Sequence, residues 1–175
     1  MKTVDSRKNW KHIDTLLESE TDEWRRHMLT QLKEHVQAEC GGDVEALLAT
    51  MSGEPAFHIW SATVDSGPKD ASGLREFYSG LIASGSNRFE YAVERIVIGD
   101  DTQVREGELY APFSIEQLTA IGLKEFTIDK YYATQVRTVT FWPFERDTGQ
   151  IIGEDICPLS TEITDAEEIV LNEYT

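Results

Sequence analysis

The sequence predicts an α+β domain: three N-terminal helices packed on a strongly curved antiparallel sheet that encloses a conical pocket. Three observations carry this. Between Thr21 and Ala83, three stretches keep apolar residues at helical spacing. Beyond Arg88, apolar and polar residues alternate in long runs, as in half-buried strands. Two turn sequences, Gly99-Asp100-Asp101-Thr102 and Arg146-Asp147-Thr148-Gly149, connect those runs as hairpins. A chain of 175 residues is enough for one domain with a substantial core. We divide it into an N-terminal arm, 1–20, a folded domain, 21–157, and an acidic C-terminal tail, 158–175.

In the arm, Trp10, Ile13, Leu16 and Leu17 fall at helical spacing. The first main helix runs from about Thr21, with Thr21 or Asp22 as its cap, to about Ala38. Trp24, Met28, Leu32 and His35/Val36 form its apolar stripe, with Leu29 alongside. Asp43 caps a second, short helix over Val44–Met51, and Ser52-Gly53-Glu54-Pro55 stops it. A strand follows, with Phe57 and Ile59 on one face and His58 and Trp60 on the other. Asp70 or Ser72 caps a third helix, about Gly73–Ala83, which buries Leu74, Phe77, Tyr78 and Leu81. Four antiparallel strands are expected over 88–98, 103–110, 131–144 and 150–157. The insertion 111–130 holds a short helix near 114–120 and has the character of a lid or an oligomer contact.

Composition excludes several functions. The chain has 32 acidic and 16 basic residues, a net charge of −16, which argues against binding nucleic acid or an anionic membrane surface. The same charge favours a neutral or cationic ligand. There is no apolar run of about 18 residues and no apolar stretch after the N-terminus, so the expectation is a cytoplasmic protein. The two cysteines, Cys40 and Cys157, make neither a disulfide framework nor a metal site, and a free, reduced state is expected. No metal-ligand spacing, phosphate loop or nucleophile elbow is present, so no cofactor is expected and any chemistry is acid/base work by side chains.

The element order resembles the nuclear transport factor 2-like superfamily, and within it the SnoaL-like polyketide cyclase group. The resemblance runs from about Trp24 to Cys157. It rests on His35-Val36-Gln37-Ala38-Glu39, on Gly42-Asp43-Val44-Glu45-Ala46-Leu47-Leu48, and on Gly73-Leu74-Arg75-Glu76-Phe77-Tyr78. The closing hairpin Asp147-Thr148-Gly149-Gln150-Ile151-Ile152-Gly153-Glu154-Asp155 completes it. The resemblance implies a cone-shaped fold with a hydrophobic pocket, commonly a homodimer through the sheet. It implies either catalysis of cyclase, isomerase or dehydratase type on an apolar, ring-bearing small molecule, or a non-catalytic module that binds a small molecule or a protein.

Candidate residues follow from these faces. A ketosteroid-isomerase-like site needs an Asp near the end of the first strand, where this chain has Trp60-Ser61. Of an epoxide-hydrolase-like Asp-Arg-Asp set, Arg137 and Asp155 supply two members. For cyclase-like acid/base work the expected groups are His58, Glu106 and Asp155. His58 is either a cavity acid/base or a hydrogen-bonded structural histidine. Glu106 and Glu108 share a face with Tyr110; that face is either buried, so that one carboxyl keeps a proton, or solvated. Glu154 and Asp155 point to opposite faces, so one alone is inside. Arg137, if buried, needs a carboxylate from a neighbouring strand. Trp60, Tyr78, Tyr91, Tyr110, Arg137 and Trp142 are the expected ligand contacts, with core packing the alternative for Tyr78, Tyr91 and Trp142.

Overall fold

A computed structural model describes residues 1–61, 63–124, 126–127, 130–159 and 166–172. Parts of the insertion 111–130 and of the tail 158–175 lie outside these residues. The order is β1 (Lys2–Val4), α1 (Lys8–Ser19), α2 (Glu23–Gly41), α3 (Val44–Ala49), β2 (His58–Ser61), β3 (Val64–Asp65) and α4 (Ala71–Ala83). Then come β4 (Glu90–Ile98), β5 (Thr102–Phe113), α5 (Ile115–Ala120), β6 (Tyr131–Pro143), β7 (Asp155–Pro158) and β8 (Glu167–Leu171). The α+β class is as expected, but four helices precede the long strands, not three. The extra one is α1, whose Ile13 is fully buried against the core.

Side chains set the helix ends. The Asp22 carboxylate accepts from Arg25 N at 2.9 Å and starts α2, Asp43 accepts from Ala46 N at 3.0 Å, and Asp70 accepts from Gly73 N at 2.8 Å. Gly42, at φ 77°, ends α2, and the next amide, Asp43 N, donates to Ala38 O at 2.9 Å. Met28, Leu29, Leu32 and Val36 bury the α2 stripe, each contributing about 1.5–3 kcal/mol of apolar burial. The stripe runs one turn further than its apolar residues do. Glu39 and Cys40 lie on it and are buried.

In the sheet, β5 pairs antiparallel with β6 along its whole length, from Thr102↔Pro143 to Phe113↔Tyr132. On its other edge β5 carries β4, with a bulge between Val93 and Arg95. The far edge of β6 is divided. Tyr131–Ala133 pair with β8, and Thr138–Phe141 pair with β7. β2 runs parallel to β7, and β1 runs parallel to β8. Residues 167–171, assigned to the tail from sequence, thus join the sheet. Ile169 buries against Val4 and Ala133 there, and the flanking acids Glu167 and Glu168 hide this strand in the sequence.

Strand alternation fixes which side chains face the helices. Gln103, Arg105, Leu109, Thr138, Thr140 and Trp142 point inward, whereas Val104, Glu106, Glu108, Arg137 and Phe141 point outward. Phe57 and Ile59 pack into the core, which turns His58 and Trp60 to the outer face.

Candidate functional site

A cavity of about 400 Å³ lies between the inner face of the sheet and helices α2 and α4. Its walls are mainly apolar, with Val36, Phe77, Leu81, Phe89, Leu109 and Ile156 among them. Into this lining project Glu39 from α2, Tyr91 from β4, Arg105 from β5, Trp142 from β6 and Glu154 from the turn before β7.

Glu39 is buried at the end of the α2 stripe. Asn87 Nδ2 ties down the backbone there, donating to Glu39 O at 3.1 Å and Cys40 O at 3.2 Å. Glu154 is set by close backbone pairing. Ala56 N donates to Ile152 O, and His58 N donates to Glu154 O, each at 2.9 Å. Gly153 permits this approach, since a Cβ there would lie 1.7 Å from Ala56 O. Arg105 is buried, and its Nη1 donates to Asn9 O at 3.4 Å. Its guanidinium carbon lies 5.3 Å from the Tyr91 ring centroid and 5.4 Å from that of Trp142. The Tyr91 hydroxyl is committed to the sheet, with Arg105 O and Thr138 O both at 2.9 Å.

The electrostatics follow from that placement. Burial pushes the Glu39 carboxyl up to about 8, opposed by the positive charge of Arg105. Burial also raises Glu154 well above the usual carboxyl range, and the nearby Glu39 adds to the rise. Glu154 is half-buried and lines the apolar cavity. Two carboxyls that favour their protonated forms therefore line the same cavity as one buried guanidinium, whose charge opposes the rise at each. Such a set can give a proton and take one back near neutral pH. Among the described residues, no group of three or more His, Cys, Asp or Glu is arranged to hold a metal ion.

No family model matches the sequence, and no curated protein matches it. Solved structures do. A SnoaL-like polyketide cyclase (so described, provisionally) from Shewanella denitrificans OS-217 is 13% identical over 75% of this chain and 89% of that one, with a TM-score of 0.59. The epoxide hydrolase/cyclase-like enzyme SalBIII, described in pyran ring formation in polyether salinomycin, is 10% identical over 82% and 96%, at 0.57. RV0760c from Mycobacterium tuberculosis is 17% identical over 85% and 99%, also at 0.57. The chain has the SnoaL-like form of the nuclear transport factor 2-like fold. At these identities the likeness carries the fold and no activity.

Within this SnoaL-like fold, two of the residues expected from sequence, Tyr91 and Trp142, line the cavity. The others lie elsewhere. Tyr78 is buried below the cavity, 3.2 Å from His35 Nε2. His58 is on the outer face, with Nδ1 2.6 Å from Asp65 Oδ2, Nε2 4.0 Å from Asp155 Oδ1, and its ring stacked on the exposed Trp60. Asp65 also binds Lys69 and accepts from Ile59 N and Gly67 N. These contacts, Lys69 foremost, hold it well below the usual carboxylate range. Glu106 and Arg137 also face outward. Arg137 pairs with Glu106 at 2.8 Å and Glu108 at 3.1 Å on the neighbouring strand β5, and reaches Glu94 on β4 at 3.0 Å; it makes these pairs on the outer face and not as a buried group. Tyr110 is on this face too, with Lys2 Nζ 3.4 Å from its ring centroid.

The acid/base set expected from sequence, His58, Glu106 and Asp155, is therefore not a cavity set. The reason is register. His58↔Asp155 and Arg137↔Glu108 are cross-strand pairs of the outer face, and Glu154, one residue earlier, takes the inside. Sequence reasoning missed Glu39 and Arg105, and of Glu154 and Asp155 it placed Asp155, the outer one, in the site. The signal for Glu39 was its place one helical turn beyond Val36 on the apolar stripe. For Arg105 it was an alternation in which Arg105 shares a strand face with Gly107 and Leu109.

Proposed function

We propose that this protein transfers protons to and from an apolar, ring-bearing small molecule, in a reaction of cyclase, isomerase or dehydratase type. The observation that supports it is the pair Glu39 and Glu154 beside Arg105 in an apolar cavity. One protonated carboxyl donates to a substrate oxygen or carbon. The carboxylate left behind is stabilised by the Arg105 charge and accepts the returning proton. General acid/base help of this kind supplies about 10²–10⁴-fold in rate. The cavity walls hold the ring and keep water out, which strengthens each charge interaction inside.

The test needs no known substrate. Exchange of the acidic C–H protons of 2-tetralone in deuterated water is followed by proton NMR. The expected result is a protein-dependent rate that climbs as pH rises toward 8, where Glu39 ionises and becomes a base. Glu39→Gln combined with Glu154→Gln should remove at least about nine-tenths of it. A wild-type rate equal to that of the double variant refutes catalysis and leaves the binding-module reading. We extend the proposal to a homodimer through the outer sheet face, where Trp60, Val97 and Phe141 are exposed. A monomer in sedimentation equilibrium removes that part.

A further inference from the structure

The cavity adjoins a second space. A cleft of about 240 Å³ lies between the segment that follows α4 and the junction of β5 with α5. Ser84 and Phe113 belong to both walls, so the cleft begins where the cavity ends. Two elements run through both. On β5, Leu109, Ala111 and Phe113 alternate into the cavity, and Ser114 and Ile115 follow in the cleft. From Leu109 to Phe113 is about 13 Å of strand. On the opposite side, α4 gives Leu81 to the cavity, and the chain beyond it gives Arg88 to the cleft.

The chemistry changes along this path. The cavity walls are mainly apolar, whereas the cleft adds two cations, Arg88 and Lys130. Lys130 is already paired, with Nζ 2.7 Å from Glu168 Oε1. Arg88 is not: no carboxylate of the described residues lies within ion-pair distance of it. Its guanidinium carbon lies 5.8 Å from the ring centroid of Tyr131, which is exposed. Arg88 is half-buried, so solvent screens its charge less than that of a fully exposed arginine. The chain has 32 acidic residues against 16 basic ones, yet none of the described acids takes this cation. Glu116 lines the same cleft. Its own backbone amide, with the Ser114 hydroxyl, holds its carboxyl below the usual range, so it is ionised at neutral pH and opposes an anion there.

We propose that the ligand has two parts: an apolar ring in the cavity, and a chain that leaves past Ser84 and Phe113 and ends in a carboxylate held by Arg88. The class is a chain acid with a ring at its far end. The apolar walls hold the ring, and the guanidinium gives the charge-assisted hydrogen bonds that fix the direction of entry. This reverses the ligand charge suggested by the net −16 of the chain. Surface charge acts through screened solvent, whereas Arg88 acts at contact distance. The inference deepens the proposed function and rests on it, since it places the reacting ring in that cavity.

The experiment compares 8-phenyloctanoate with 8-phenyloctanamide by titration calorimetry at neutral pH. The acid should bind about tenfold more tightly than the amide, as one charge-assisted hydrogen bond implies. Arg88→Met should remove that preference with little change for the amide. Glu116→Gln removes the opposing charge and should tighten the acid about two- to threefold while sparing the amide. The short pair 3-phenylpropanoate and 3-phenylpropanamide cannot span cavity and cleft together and should show no preference. Equal binding of the long acid and amide by the wild-type protein overturns this inference alone. So does a preference that survives in a folded Arg88→Met protein, an acid affinity unmoved by Glu116→Gln, or a preference of the same size in the short pair. Binding of neither long probe overturns the choice of cavity and, with it, the proposed function.

Discussion

The Thr50 hydroxyl fixes the tautomer of His35. Its proton goes to Leu47 O at 2.6 Å, so it accepts from His35 Nδ1, 2.7 Å away. That leaves Nε2 as the acceptor for the Tyr78 hydroxyl at 3.2 Å. The ring is fully buried and meets the Trp142 ring edge-on, with centroids 5.1 Å apart, so it braces a cavity wall from behind. Thr50→Val keeps the shape but leaves the Nδ1–H unpaired. It should cost about 1–3 kcal/mol in urea unfolding, and Thr50→Ser should restore most of it. Nitrogen NMR of the wild type should show Nδ1 protonated and Nε2 bare.

The same ring sets the behaviour in acid. Burial, with help from the Arg105 charge, lowers His35 to about 3, and burial lowers His12 to about 4. An unfolded histidine titrates near 6.5. The unfolded chain therefore binds protons between about 6.5 and 3 that the folded protein refuses. Stability from these two groups is present above 6.5 and is lost as pH falls through about 4. His12→Gln should lessen the fall in melting temperature across that window.

The cavity acids act in the opposite direction. Glu39 titrates near 4.5 when unfolded and at about 8 when folded, and Glu154 is raised too. The folded state holds protons that the unfolded state releases. Stability is thus full below about 4.5 and is lost as pH rises through about 8, by at most about 1.4 kcal/mol per pH unit for each carboxyl. Urea unfolding at pH 5, 6.5 and 8 measures it. Glu39→Gln cannot ionise and should flatten the slope. An unchanged slope would mean that Glu39 is already ionised at pH 5.

The two sides of the sheet differ in how legible they are from sequence. Caps at Asp22, Asp43 and Asp70, the α2 stripe and the hairpin at 99–102 follow from local rules, and the structure keeps them. The expectation that Glu154 and Asp155 face opposite ways also holds. What local rules lack is the absolute sense of each face. A strand such as Gln103–Tyr110 carries charges on both faces, so alternation gives the division but not the side that meets the helices. Long-range pairing decides that, through Arg137↔Glu108 and His58↔Asp155. Glu39 escaped for another reason. A carboxyl on an apolar stripe resembles the end of the stripe until the opposing wall is known.

Gly153 links the fold to the candidate site most directly. Its neighbours form the backbone ladder to Ala56 and His58, and its missing side chain lets that ladder close. Gly153→Ala puts a methyl group against Ala56 O at a separation no packed structure tolerates. The 152–154 segment must then move away from β2, and Glu154 moves with it. The expected cost is about 1–3 kcal/mol in stability, the range for overpacking. The informative readout is the pair of carboxyls. With Glu154 displaced, Glu39 loses the neighbour that it pushes upward, so the carbon-13 carboxyl resonance assigned to Glu154 should titrate nearer the ordinary range. Gly53→Ala is the control. It has open space around its Cβ position and should leave both stability and titration unchanged. If the Glu154 resonance keeps its wild-type midpoint in a destabilised Gly153→Ala protein, the ladder does not set the position of that acid.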